Sequence, residues 1–143
     1  MLVQPYLFFE GRCEEALEFY KKTLGAKVDA MMRYKEAPAG AEPKAEQCGG
    51  MVPPADKVMH AAFHVGDTVV MASDGMCAGK PDFKGFGLSV TVPGTADAER
   101  TFKALGDGGQ VTMPMTETFF ANAFGMVVDR FGVMWMVIAP KPM

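Results

Sequence analysis

The feature that most restricts this chain is an internal repeat. Residues 2–73 read as strand, helix, strand, long loop and hairpin, and the hairpin runs from His60-Ala61-Ala62-Phe63-His64-Val65 through Gly66-Asp67 to Thr68–Ala72. Residues 85–139 read in the same order and close on a second hairpin, Gly125–Val137, which turns at Arg130-Phe131-Gly132. Two β-α-β-β-β units in 143 residues point to an α+β fold in which each unit contributes a cupped sheet. Those cups are where a site is to be sought.

The local signals agree with the repeat. Leu2–Phe9 is apolar and aromatic, which suits a first strand, and Gly11 breaks it. Ala16, Phe19, Tyr20, Thr23 and Leu24 recur at helical spacing. Glu14, Glu15 and Glu18 stand toward the start of that helix and Lys21 and Lys22 toward its end, as the helix dipole favours, and Gly25 is a natural stop. Lys27–Lys35 follows as a strand, residues 36–54 as a loop longer than most connections, and Val58–Val65 with Thr68–Ser73 as the hairpin. In the second copy, Gly85–Val92 reads as a strand and Thr95 as an N-cap. Ala98, Thr101, Phe102 and Leu105 form the helix stripe, which Gly106-Asp107-Gly108-Gly109 ends. Pro114 interrupts two strand candidates, Gln110–Met113 and Met115–Phe120, before Met126–Asp129 and Val133–Ile138 close the chain. Asp74 and Asp129 read as turn residues. The length suits one domain over 1–143, with module one at about 2–73, a linker at about 74–84 and module two at about 85–139.

Composition removes several function classes. A net charge of −3 and a pI near 5.4 leave no basic excess to neutralise phosphates, so a nucleic-acid partner is not expected. No apolar run approaches the roughly 20 residues that span a bilayer. Met1-Leu2-Val3-Gln4-Pro5 lacks the basic start and apolar stretch of a signal peptide, which points to the cytoplasm. The three cysteines, Cys13, Cys48 and Cys77, form no Cys-x-x-Cys pair and read as reduced thiols, with Cys48 and Cys77 in loops where a reactive thiol remains open. The 13 methionines read mainly as core filling, although methionine also lines tolerant binding surfaces. No Gly-x-Ser-x-Gly elbow occurs. Gly106–Gly109 follows a helix instead of joining a strand to one, so it is no phosphate-cradling or methyl-donor loop.

Phe19-Tyr20-Lys21-Lys22-Thr23-Leu24-Gly25, after a short N-terminal strand, resembles the vicinal oxygen chelate superfamily of glyoxalase I, bleomycin-resistance proteins and extradiol dioxygenases. Pro5-Tyr6, Glu117-Thr118-Phe119, Phe124-Gly125, Asp129-Arg130-Phe131-Gly132 and Trp135-Met136 resemble its PhnB-like branch. Some members of that branch carry a 3-demethylubiquinone-9 3-methyltransferase-like label. The resemblance implies two βαβββ modules, each curled into a half-barrel, facing one another across a cleft, and a homodimer. In the family's metal enzymes four side chains, usually His, Gln or Glu, hold one divalent ion that polarises substrate oxygens.

Carried over position by position, that ligand set falls on Pro5, His60, Phe86 and Met136. Only His60 can ligate, and a useful site needs three or four donors. A one-residue slip in the first strand would substitute Gln4 or Tyr6. His60 and His64 share a strand face but lie roughly 13 Å apart, too far to chelate together. The resemblance leaves room for a divalent metal, but these residues disfavour one, and no cofactor is expected. Pro5, His60, Phe86 and Met136 then become a dry ligand pocket with His60 as its polar anchor, a hydrogen-bonding group or general base. Alternatively His60 only satisfies itself within the sheet. Trp135 lies on the strand face opposite Met136 and should pack against a helix. Glu117 is the second catalytic candidate: facing the cleft, its pKa would rise by desolvation, and facing water it is an edge-strand charge.

Three functions follow. One is a small-molecule binding protein of glyoxalase/bleomycin-resistance type without the usual metal ligands. Another is an enzyme, either a lyase or dioxygenase with relocated ligands or a metal-free acid–base catalyst using His60 and Glu117. The third is an interaction module built on its dimer face. Fold alone does not choose among them.

Overall fold

The computed structural model describes residues 1–37, 54–75 and 80–142. Most of the loop expected at 36–54, part of the linker, Cys48 and Cys77 lie outside the described residues. The chain divides into two compact units, Met1–Pro81 and Asp82–Met143.

The first unit runs β1 (Tyr6–Phe8), α1 (Cys13–Leu24), β2 (Lys27–Arg33), a 3-10 turn at Tyr34–Glu36, β3 (Val58–Val65) and β4 (Thr68–Ser73). The second runs β5 (Leu88–Thr91), α2 (Thr95–Leu105), β6 (Gln110–Thr116), β7 (Ala121–Val128) and β8 (Met134–Pro140). The sheets have the same plan, β1-β4-β3-β2 and β5-β8-β7-β6, with β1 parallel to β4, β5 parallel to β8 and all other pairs antiparallel. The repeat in sequence is therefore a repeat of topology, an α+β fold of two βαβββ modules with open four-stranded sheets.

Each helix closes one face of its sheet. Cys13, Ala16, Leu17, Phe19 and Tyr20 bury the inner stripe of α1. Tyr20 stacks on Phe63 of β3 at 5.9 Å between ring centroids and meets Phe9 at 6.2 Å. Thr23, expected in that stripe, is only half-buried and donates its hydroxyl to the Phe19 carbonyl at 2.9 Å. Gly25 ends α1 at φ 67°, a conformation that costs glycine nothing, and the Ala26 N–H reaches back to the Tyr20 carbonyl at 3.2 Å. In the second unit Ala98 and Leu105 of α2 are fully buried, and Phe102 lies over Gly125 so closely that a Cβ there would sit 2.7 Å from its ring.

Several local expectations are corrected. β1 is three residues long, and Leu2 and Val3 are exposed. Thr95 opens α2 instead of capping it: Gly94 is the N-cap and no side chain caps the helix. Pro114 does not separate two strands but lies inside β6, within a register shift against β7 between Met113 and Thr116. A proline costs little there because β6 is an edge strand and its missing N–H breaks no interior ladder.

Asp74 and Asp129 are more than turn residues. Asp74 is 7% exposed; its Oδ1 accepts the Cys13 N–H and its Oδ2 the Val58 N–H, both at 2.7 Å. It thereby supplies the start of α1 with the acceptor that Arg12 does not provide and ties that end to β3. Asp129 is 2% exposed and accepts from the Phe131 N–H (2.9 Å), the Val133 N–H (3.1 Å) and Trp135 Nε1–H (2.9 Å). No helix among the described residues is long and apolar enough to cross a membrane.

Candidate functional site

Cross-strand partners project to the same side of a sheet, so the register sorts every side chain. In the first unit, Leu7, Ala61, Phe63, Val70 and Ala72 face α1 and are buried. The other face carries Tyr6, paired with Met71, then Ala62, paired with Met71 and Ala30, and His60, paired with Met32. These side chains are half-buried or exposed. The surface is apolar and polarizable, with few polar groups.

His60 has a fixed partner on that surface. Its Nδ1 lies 3.0 Å from the Tyr6 hydroxyl, and the two rings are 5.6 Å apart. Phe8, two residues along β1, stands 4.8 Å from Tyr6 and extends the aromatic row. The phenol holds the imidazole by one nitrogen and leaves Nε2 for another partner.

Pro5, expected beside His60, does not occupy that place. It precedes β1, its carbonyl accepts the Met71 N–H at 3.0 Å, and the alternation that buries Leu7 turns Pro5 to the same side as Leu7. Tyr6 takes the position instead. A one-residue shift flips every side chain of a strand, and three residues of strand give too little alternation to set the phase from sequence.

His64 lies two pairs along the same face of β3 and has its own partner. A register shift in β2 between Val28 and Ala30 puts Asp29 out of the ladder, and both Asp29 carboxylate oxygens approach His64 Nδ1, at 2.8 and 2.9 Å. Neither partner is legible in the sequence, because Tyr6 and Asp29 reach these histidines only once the strands are paired.

In the second unit the helix-covered face holds Ala123, Val127, Trp135, Val137 and Ala139, all buried. Trp135 is on that side, opposite Met136, as expected. Met136 is half-buried on the other face, paired with Met126 and Ser89 and flanked by Met134 and Ile138. Phe86 is 43% exposed, lies ahead of β5 and meets Phe83 edge-on at 6.5 Å. Its neighbour Gly87 is the residue that turns toward the methionine face, where a Cβ would lie 2.9 Å from Met134 Cε. The one-residue slip found at Pro5 therefore recurs at Phe86.

Glu117 is corrected as an acid–base candidate. It follows the end of β6, its side chain is 68% exposed, and its Oε2 pairs with Lys141 Nζ at 2.8 Å. The hydrogen bond and charge of Lys141 hold its carboxyl below the usual value, the opposite of what a proton donor near neutrality requires. Elsewhere, burial and then the charges of Asp74 and Glu14 push the Cys13 thiol up to about 12, so it stays protonated and inert. Among the described residues no group of three or more His, Cys, Asp or Glu side chains is arranged to hold a metal ion.

Comparison with known proteins fits this plan. Protein YjdN of Escherichia coli (strain K12) is 37% identical over 142 residues, covering 99% of this chain and 97% of YjdN. The structure of protein PA1353 from Pseudomonas aeruginosa superposes with a TM-score of 0.78 at 39% identity, covering 96% of each chain. A Bacillus cereus PhnB protein, described as a putative 3-demethylubiquinone-9 3-methyltransferase, superposes with a TM-score of 0.76 at 24% identity over 96% of this chain and 98% of its own, a likeness of fold. The model of one family matches residues 3–137, almost the whole chain, with both modules inside it. The chain belongs to the Glyoxalase/Bleomycin resistance protein/Dioxygenase superfamily.

Proposed function

We propose that this chain binds a small, largely apolar molecule on the open face of its first module, and that binding does not depend on a metal. The observation that carries the proposal is the Tyr6–His60 contact at 3.0 Å beside Ala30, Met32, Ala62 and Met71 on the same face. Such a surface offers dispersion contacts to a carbon skeleton and one directional polar anchor, the usual composition of a small-molecule site. The divalent ion of the family's enzymes fits these residues poorly. The residues that face the open sheet surfaces at those positions are Tyr6, His60, Gly87 and Met136, which offer one imidazole and one phenol, and these two already engage each other. The methyltransferase description belongs to the Bacillus protein and finds no support in the Gly106–Gly109 segment of this one. Met136 and its methionine neighbours give the second module a surface of similar character. Assembly as a cytoplasmic homodimer belongs to the same proposal and rests on the family resemblance. An elution volume matching about twice the 15.4 kDa chain would support the dimer.

A second reading, metal-free acid–base catalysis, draws on the same contact, because a phenol beside an imidazole can relay a proton. It uses Tyr6 and His60, not Glu117.

The test is a thermal-shift screen with hydrophobic antibiotics, quinones and oxo-acids, run with a chelator and with added divalent metals. A ligand present at 100 times its Kd should stabilise the native state by about 2.7 kcal/mol. At least one class should raise the melting temperature with the chelator present, and Tyr6→Phe and His60→Ala should each reduce the shift. No shift in any class, or shifts seen only with added metal, would refute the proposal.

A further inference from the structure

We infer that His64, oriented by Asp29, is a second ligand-contacting group on this face, presenting an Nε2 lone pair to an O–H or N–H donor of the bound molecule. The inference rests on the proposed binding face but on a different pair of residues. Strand β2 is the first observation: Lys27 pairs with His64, alternation puts Asp29 on the same face, and the register shift between Val28 and Ala30 leaves Asp29 outside the ladder, beside the His64 ring. The second is the contact itself. Both carboxylate oxygens approach the same nitrogen, at 2.8 and 2.9 Å, so Nδ1 must carry the proton. A neutral imidazole protonated on Nδ1 has its acceptor pair on Nε2, the orienting role that a carboxylate plays beside a histidine in many sites.

The two ends of the face are thus differently equipped. At one end His60 is held by a neutral phenol that can donate or accept; at the other, His64 is held by an anion that can only accept. Strand rise separates the two rings by roughly 13 Å, with Ala62 between them and Ala30 and Met71 as its cross-strand partners. Ala30 and Ala62 between two polar posts, with Met71 alongside, leave room for an extended molecule lying along β3. Lys27, the cross-strand partner of His64, and Asp29 are the charged residues of β2 nearest that end. The class of ligand that fits is therefore an elongated apolar molecule with a hydroxyl or amine proton at one end. Asp29 acts as a positioning residue, and His64 makes the contact.

With only two histidines in the chain, nitrogen NMR reads both rings directly. In protein labelled with 15N-histidine, above the titration of the rings, His64 should show a protonated Nδ1 and an unprotonated Nε2. In Asp29→Ala the proton should move to Nε2, and His64→Gln assigns the signals. A His64 protonated on Nε2 in the unaltered protein would overturn the inference whatever the ligand screen finds. For the contact, p-cresol is titrated against its O-methyl ether, 4-methylanisole. The phenol should shift the His64 Nε2 resonance and the ether should not. Equal effects, or none from the phenol, would also overturn it. If the tautomer and the p-cresol response hold while the thermal screen fails, the broader binding proposal is refuted and the contact made by His64 stands.

Discussion

Replacing Asp129 with asparagine should cost the protein about 2–4 kcal/mol, and the loss should be coupled to Trp135. Asp129 Oδ1 accepts two backbone N–H groups and Oδ2 accepts the indole N–H, all in a site that is 2% exposed. A carboxamide has one acceptor oxygen. If that oxygen keeps the Phe131 and Val133 amides, its NH2 faces the indole N–H donor to donor; if it turns, it faces two amides the same way. Either orientation leaves at least one buried donor unsatisfied, at about 1–3 kcal/mol. The remaining bonds fall from charge-assisted to neutral strength, at roughly 1 kcal/mol more. Trp135→Phe removes the indole donor, so the double variant should lose less than the two single losses added, with a coupling of about 1–2 kcal/mol. Urea unfolding of all four proteins, followed by far-ultraviolet circular dichroism, measures the cycle, provided the urea slope is common to all four. Trp135 is the only tryptophan, so its emission in Asp129→Asn reports the site directly. A coupling below about 0.3 kcal/mol, within the scatter of independent sites, would show that the carboxylate–indole bond carries none of this stability.

Other substitutions test separate parts of the structure. Glu10 sits at φ 49° with its carboxylate against Gly75; burial, and then the charge of Asp74, raise its pKa above 4.5. A raised value in the folded state means that stability is full below the unfolded pKa and is lost as pH rises through the folded one. Glu10→Gln should therefore raise the melting temperature at pH 7, and the advantage should vanish below about pH 4.5; an equal gain at both pH values would refute the assignment. Gly125→Ala should lower stability by about 1–3 kcal/mol in urea titrations, because its Cβ would sit 2.7 Å from the Phe102 ring and α2 would have to shift. Cys13, buried and held as a thiol, should resist Ellman's reagent in the native protein and react once urea unfolds it; modification at the native rate of a free thiol would contradict its burial.

What the sequence disclosed about this molecule, and what it withheld, follows from the range of the signals involved. The repeat, both helices and the β3–β4 hairpin are written in local periodicity, and all appear at the expected places. The positions of Asp74 and Asp129 are not. Each is an aspartate next to a turn, so local statistics read it as turn chemistry; only the folded chain reveals that Asp74 reaches Cys13, 61 residues away, and Asp129 the Trp135 indole. The candidate site failed in a more specific way. His60 stands out in the sequence as a polar residue of an apolar strand, but Pro5 and Phe86 each lie one residue from the position that faces the open surface. Both sit just outside short strands, β1 and β5, where too few alternating residues exist to fix a phase. The correction alters the chemistry, since it replaces a residue without a donor by a phenol in hydrogen-bond contact with His60. What reads from the sequence as one histidine in a greasy cup is, in three dimensions, two histidines on one face of β3, each with a partner at Nδ1 that a distant or bulged segment supplies.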